Sequence, residues 1–124
     1  MRSQGTVAWV DTDASGRIHF TAPFRWVEAV EHALYRETDP GIEVGSFPRL
    51  TVGSTYRRPL AAGDAFDVEL TAERVGNSSI SYAWTILHDG ELAIEGHHTV
   101  VHVGPDGKPA TVPDALRNRL TQES

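Results

Sequence analysis

The sequence predicts an α+β domain in which an antiparallel sheet of about five strands packs around one long helix. Three observations carry this reading. A helical apolar stripe occurs once, over residues 22–37, and four segments after it alternate apolar and polar residues with strand period. Tight Gly- and Asp-containing turns separate those segments at hairpin spacing. A chain of 124 residues is long enough to bury one core, so residues 1–124 are read as a single domain.

The first strand is expected at Thr6-Val7-Ala8-Trp9-Val10, a short apolar run. In the helix, Trp26, Val27, Val30, Ala33 and Leu34 form the apolar stripe, and Arg25, Glu28, His32 and Arg36 occupy the opposing face. Thr21 is placed to cap it, and Pro23 is tolerated in the first turn, where a missing N–H costs nothing. Asp39-Pro40-Gly41 stops it, because the residue before proline avoids the α region.

A second strand is expected over residues 50–58, ending at Pro59. Phe66, Val68, Leu70 and Ala72 then alternate with Asp67, Glu69, Thr71 and Glu73. Gly76-Asn77 turns the chain into the strand carrying Ile80, Tyr82, Trp84 and Ile86. Asp89-Gly90 leads into a last long strand, residues 92–103, and residues 113–120 read as a short helix followed by a disorder-prone tail. A sheet covered by one helix leaves an open edge, which predicts pairing between subunits.

Composition narrows the function. A net charge of −6 argues against nucleic acid as a partner, since phosphate backbones call for a basic footprint. No apolar run approaches the length of a membrane span, and Met1-Arg2-Ser3-Gln4-Gly5 lacks an apolar signal region. Cysteine is absent, so disulfide and thiol chemistry are excluded. Together these features predict a cytoplasmic location.

Chemistry concentrates in Asp11-Thr12-Asp13-Ala14-Ser15-Gly16, between the first strand and the helix. Unpaired N–H groups at a helix start stabilise negative charge, and a carboxylate beside them suits acyl transfer. A calcium loop is excluded by count: positions five and twelve from Asp11 hold Ser15 and Ala22, and the latter supplies no oxygen. Of the histidines, His98 and His102 share a strand face but stand roughly 13 Å apart at Cα, too far for joint ligation. With His97 they are read as surface or interface residues, and no metal or other cofactor is expected.

Four segments in order resemble the hotdog-fold thioesterases of the 4-hydroxybenzoyl-CoA thioesterase-like family, which includes the Tol–Pal-associated acyl-CoA thioesterases. They are Val10-Asp11-Thr12-Asp13-Ala14-Ser15-Gly16, Phe24-Arg25-Trp26-Val27-Glu28-Ala29, Tyr56-Arg57-Arg58-Pro59-Leu60 with Gly63-Asp64, and Val75-Gly76-Asn77-Ser78-Ser79. The resemblance covers almost the whole chain. It implies a hotdog fold, hydrolysis of an acyl-CoA or acyl-carrier-protein thioester, a homodimer or homotetramer, Asp13 as catalytic carboxylate and the Phe20 N–H as oxyanion donor. Asp11 then has a supporting role.

His19 borders the oxyanion position and is a further catalytic candidate; Ser79 is a candidate substrate contact. Arg57 and Arg58 could meet the phosphates of the thiol carrier, although consecutive strand residues face opposite sides. The resemblance also makes Glu28 and Glu31 alternative carboxylates, here read as a solvated helix face. Nucleophilic and general-base routes both remain open, as do aromatic, short-chain and polyketide-like acyl groups. The competing functions are a hotdog hydratase or dehydratase, whose Pro-containing motif does not stand out here, and a non-catalytic acyl-binding module.

Overall fold

In the computed structural model, which describes residues 1–122, five antiparallel strands in the order β1-β3-β4-β5-β2 form the sheet. These are β1 (Arg2–Thr6), β2 (Arg49–Tyr56), β3 (Ala65–Val75), β4 (Ser79–His88) and β5 (Glu91–Val101). Helix α1 (Ala22–Thr38) packs on one face, and α2 (Asp114–Gln122) closes the end. Residues 121 and 122, expected in a disorder-prone tail, extend α2; the rest of that tail lies outside the described residues.

The inner face of the sheet is set by alternation. Phe66, Val68 and Leu70 on β3, Ile80, Tyr82, Trp84 and Ile86 on β4, and Ile94 and Val100 on β5 are all buried. Val27, Val30 and Leu34 of α1 complete the core. The indole of Trp84 lies across Gly96 of β5, where an added Cβ would sit 2.2 Å from the ring. Only glycine fits there. Asp89 and Gly90 both take positive φ, the backbone of a tight hairpin turn.

One expectation is corrected, and one strand carries an irregularity that the sequence reading did not include. The first strand runs over Arg2–Thr6 and not over Thr6–Val10, with only Thr6 in common: the Asp11 carboxylate accepts the Ala8 N–H and closes a 3-10 turn over Trp9–Asp11. Trp9 and Val10 are consequently exposed, and the apolar run belongs to a turn. In β2, pairing shifts between Arg49 (with Val100) and Thr51 (with Thr99), so Leu50 bulges out. The bulge moves Arg49 onto the inner, helix-facing side. Strand β2 lies at the sheet edge with Leu50, Val52 and Tyr56 exposed.

Candidate active site

The segment between the 3-10 turn and α1 is pinned at several points. The Asp13 N–H donates to the Arg17 carbonyl (2.8 Å), Ile18 N–H to Leu60 O (2.9 Å) and His19 N–H to Asp11 O (2.7 Å). Gly16, at φ 82°, supplies the left-handed residue that the reversal needs.

Asp11 is buried. Its carboxylate accepts hydrogen bonds from Arg25 (2.9 Å), Ala8 N–H (3.0 Å) and the Trp26 indole N–H (3.3 Å). Burial opposes its ionisation, but these donors, led by Arg25, outweigh it and hold the carboxyl below its ordinary range. Asp11 therefore ties the loop to α1.

Asp13 is exposed. Its carboxylate accepts the Ser15 hydroxyl and the Ser15 N–H (2.8 Å), and these bonds lower its pKa. It is a carboxylate held in a fixed orientation with one oxygen bridged to Ser15. Beyond it, the Phe20 N–H has no partner among the described residues, whereas Ala22 N–H reaches His19 O and Phe24 N–H reaches Thr21 O. Thr21 occupies the cap position without capping the helix; its hydroxyl bonds the His19 Nδ1 (2.7 Å), and the Thr21 N–H also points to that nitrogen. The His19 ring is thereby fixed beside the Phe20 ring, with centroids 4.6 Å apart.

A surface groove of about 380 Å³ brings Asp13, Ser15 and Phe20 together with Tyr56, Arg57 and Arg58. The Tyr56 hydroxyl donates to the Phe20 carbonyl and fastens β2 to the loop. The Arg57 and Arg58 N–H groups share the Ala93 carbonyl, while their side chains pair with Glu95 (3.2 Å) and Glu91. Arg17, which the sequence reading passed over, also lines the groove. Ser79 does not. It pairs with Val101, seven residues along β5 from the Ile94 that pairs with Tyr56, or roughly 23 Å at strand rise.

Glu31 overturns the expectation of a solvated helix face, because it is fully buried. Its Oε1 accepts from Arg49 (2.7 Å) and His98 Nε2 (2.7 Å), and its Oε2 from Arg49 (2.9 Å) and Tyr35 (2.7 Å). Tyr82 in turn donates to the Tyr35 oxygen (3.0 Å). Burial opposes the charge on Glu31, but the His98, Arg49 and Tyr35 bonds outweigh it and lower its pKa. Burial raises the pKa of both tyrosines, which stay neutral donors. His98 is likewise a buried partner, not a surface residue. His102 lies beyond the end of β5 and donates through Nδ1 to the Thr111 carbonyl (2.9 Å).

Comparisons with known proteins agree with this architecture. A 1,4-dihydroxy-2-naphthoyl-CoA hydrolase of Prochlorococcus marinus (strain MIT 9303) is 31% identical over 115 residues, spanning 82% of this chain and 75% of that protein. A thioesterase from Thermus thermophilus, crystallised with coenzyme A and Zn, superposes with a TM-score of 0.88 at 25% identity, covering 98% of this chain and 91% of that one. A protein from Aquifex aeolicus shares the fold at 19% identity, with a TM-score of 0.87 and coverage of 97% and 98%. The family model of the thioesterase-like superfamily matches residues 7–120, so the chain belongs to that family and is a thioesterase of the hotdog fold.

Proposed function

We propose that the chain hydrolyses an acyl-CoA or acyl-carrier thioester, with the Asp13 carboxylate as nucleophile or general base and the Phe20 N–H as oxyanion donor. One observation carries the assignment of residues. An ionised, oriented carboxylate and a backbone N–H without a partner belong to one pinned loop, whose Asp13 and Phe20 open onto the same groove. In the general-base route, Asp13 takes a proton from water, whose oxygen attacks the thioester carbon. The carbonyl π electrons move to oxygen beside the Phe20 N–H, and collapse expels the thiolate, which regains a proton. In the nucleophilic route, Asp13 attacks first, and water then cleaves the mixed anhydride. An aligned N–H donor contributes about 3 kcal/mol to either barrier.

The naming of a naphthoyl-CoA hydrolase among the relatives supports an aromatic acyl group. Thiol release from aromatic, short-chain and polyketide-type acyl-CoA substrates tests this; highest kcat/KM on the aromatic member is expected, and no release from any would overturn the activity. His19 positions the Phe20 peptide, and Arg57 and Arg58 can exchange their carboxylate partners for substrate phosphate, because exposed ion pairs hold weakly. The reaction is assigned to the cytoplasm; no helix among the described residues is long and apolar enough to cross a membrane.

The lowered pKa of Asp13 has a measurable consequence. The carboxylate form persists as pH falls through the ordinary range, and kcat/KM drops only as pH passes its lowered value. Ser15→Ala removes the largest cause of that lowering, so the acid limb of the kcat/KM profile moves to higher pH. An unmoved limb would separate Ser15 from the titrating group.

The open β2 edge with its exposed Leu50, Val52 and Tyr56 supports a homodimer or homotetramer. Sedimentation is expected to show an assembly of two or four chains, and Val52→Asp to shift it toward monomer. A monomeric wild-type protein would contradict this.

A further inference from the structure

We propose that Arg17 is a residue that holds a phosphate of the thiol carrier and so sets the preference for a phosphate-bearing thiol over the bare arm. The inference rests on the thioesterase reading of the same groove and adds a residue to it. Three arginines, Arg17, Arg57 and Arg58, line this groove in a chain whose net charge is −6. Two already hold carboxylates that a phosphate would first have to displace, Arg57 with Glu95 and Arg58 with Glu91. Arg17 is exposed, and its guanidinium has no carboxylate or hydrogen-bond acceptor among the described residues. Its backbone is fixed, with its carbonyl taking the Asp13 N–H and a bridge joining it to Ala61.

The cation is thus anchored four residues from the catalytic carboxylate, and an arriving anion displaces no existing partner. Guanidinium matches a phosphate bidentately, and the bond is charge-assisted. Ile18, Phe20, Tyr56 and Pro59 supply the apolar lining between the charged positions, suited to a pantetheine arm. Coenzyme A and a carrier protein's prosthetic group both present this chemistry, an arm ending in phosphate.

The test compares three thioesters of one acyl group: acyl-CoA, acyl-phosphopantetheine and acyl-pantetheine. Arg17→Ala is expected to lower the ratio of kcat/KM for acyl-CoA over acyl-pantetheine about tenfold, through KM, a change equal to about 1.4 kcal/mol. Arg17→Glu lowers it further, Arg17→Lys recovers part of it, and the salt dependence of KM for acyl-CoA weakens in Arg17→Ala. A matching loss on acyl-phosphopantetheine places the contact at the phosphate next to the arm. A loss confined to acyl-CoA places it at the nucleotide phosphates.

An unchanged ratio, or an equal loss on all three substrates, overturns the assignment. Binding of free coenzyme A, measured by calorimetry on wild type and Arg17→Ala, keeps the two claims separate. If no thioester is hydrolysed but coenzyme A binding weakens about tenfold in the variant, the catalytic reading fails and the phosphate site stands.

Discussion

Asp13→Asn is expected to lower kcat by about a thousandfold or more, with little change in KM and none in melting temperature. The side chain is exposed and bonds only to Ser15, so its replacement removes charge without disturbing packing. Asparagine keeps the shape and can still accept from Ser15, but it neither takes a proton from water nor attacks a carbonyl. Single turnover in water labelled with heavy oxygen, together with trapping by hydroxylamine, separates the two routes. Label in the Asp13 side chain, read by mass spectrometry, marks the nucleophilic path with water opening the anhydride at the Asp13 carbonyl. Label found only in the product acid, with enzyme in excess, fits either direct water attack or opening of the anhydride at the acyl carbon; a hydroxamate on Asp13 then marks the nucleophilic path, and its absence marks the general base. Near-wild-type turnover in Asp13→Asn would remove this residue from the chemistry altogether.

Glu31→Gln is expected to be among the most destabilising single changes in the chain. The carboxylate receives four hydrogen bonds, including both ends of the Arg49 fork, at a position with no solvent exposure. Neutralising it leaves Arg49 without its buried counter-charge and presents an amide N–H₂ to donors. Breaking a buried pair from one side costs about 3 kcal/mol, or roughly 10 °C in melting temperature for a chain this size. Because Glu31 joins α1 to Arg49 on β2 and His98 on β5, the loss reaches the sheet edge as well as the helix.

The pH dependence has a definite sign. The folded pKa of Glu31 lies below its unfolded value, so its contribution is complete above the ordinary carboxylate range and disappears as pH falls through the lowered folded value. Wild type therefore loses stability in acid, and Glu31→Gln flattens that part of the profile. Equal acid sensitivity in both proteins, followed by calorimetry across the acid range, would show that the cluster does not govern it.

Much of the fold was legible because it follows from periodicity. The stripe of α1, the alternation in β3 and β4 and the positive-φ turn at Asp89-Gly90 are local signals, and each produced the element expected of it. The failures were non-local. Val7 to Val10 has strand composition, but a side chain at Asp11 diverts the backbone into a turn. Glu31 reads as solvated because its partners come from β2 and β5, distant in sequence, and because the bulge at Leu50 that turns Arg49 inward leaves no trace in the alternation.

The site divides in the same way. Asp13, Phe20, Arg57 and Arg58 were singled out from motif order, and all four line one groove. Ser79 belongs to a motif in sequence and to the far end of the sheet in space. Arg17 carried no signal, since a single arginine after a glycine turn is ordinary until its lack of a partner can be seen.

A crystal structure of Asp13→Asn with an intact acyl-CoA bound tests the central claim most directly. The thioester oxygen is expected within hydrogen-bond distance of the Phe20 N–H, with its carbonyl carbon facing the side chain at position 13, directly or across one water. A thioester bound away from this loop, with the Phe20 N–H turned from its carbonyl, would contradict it.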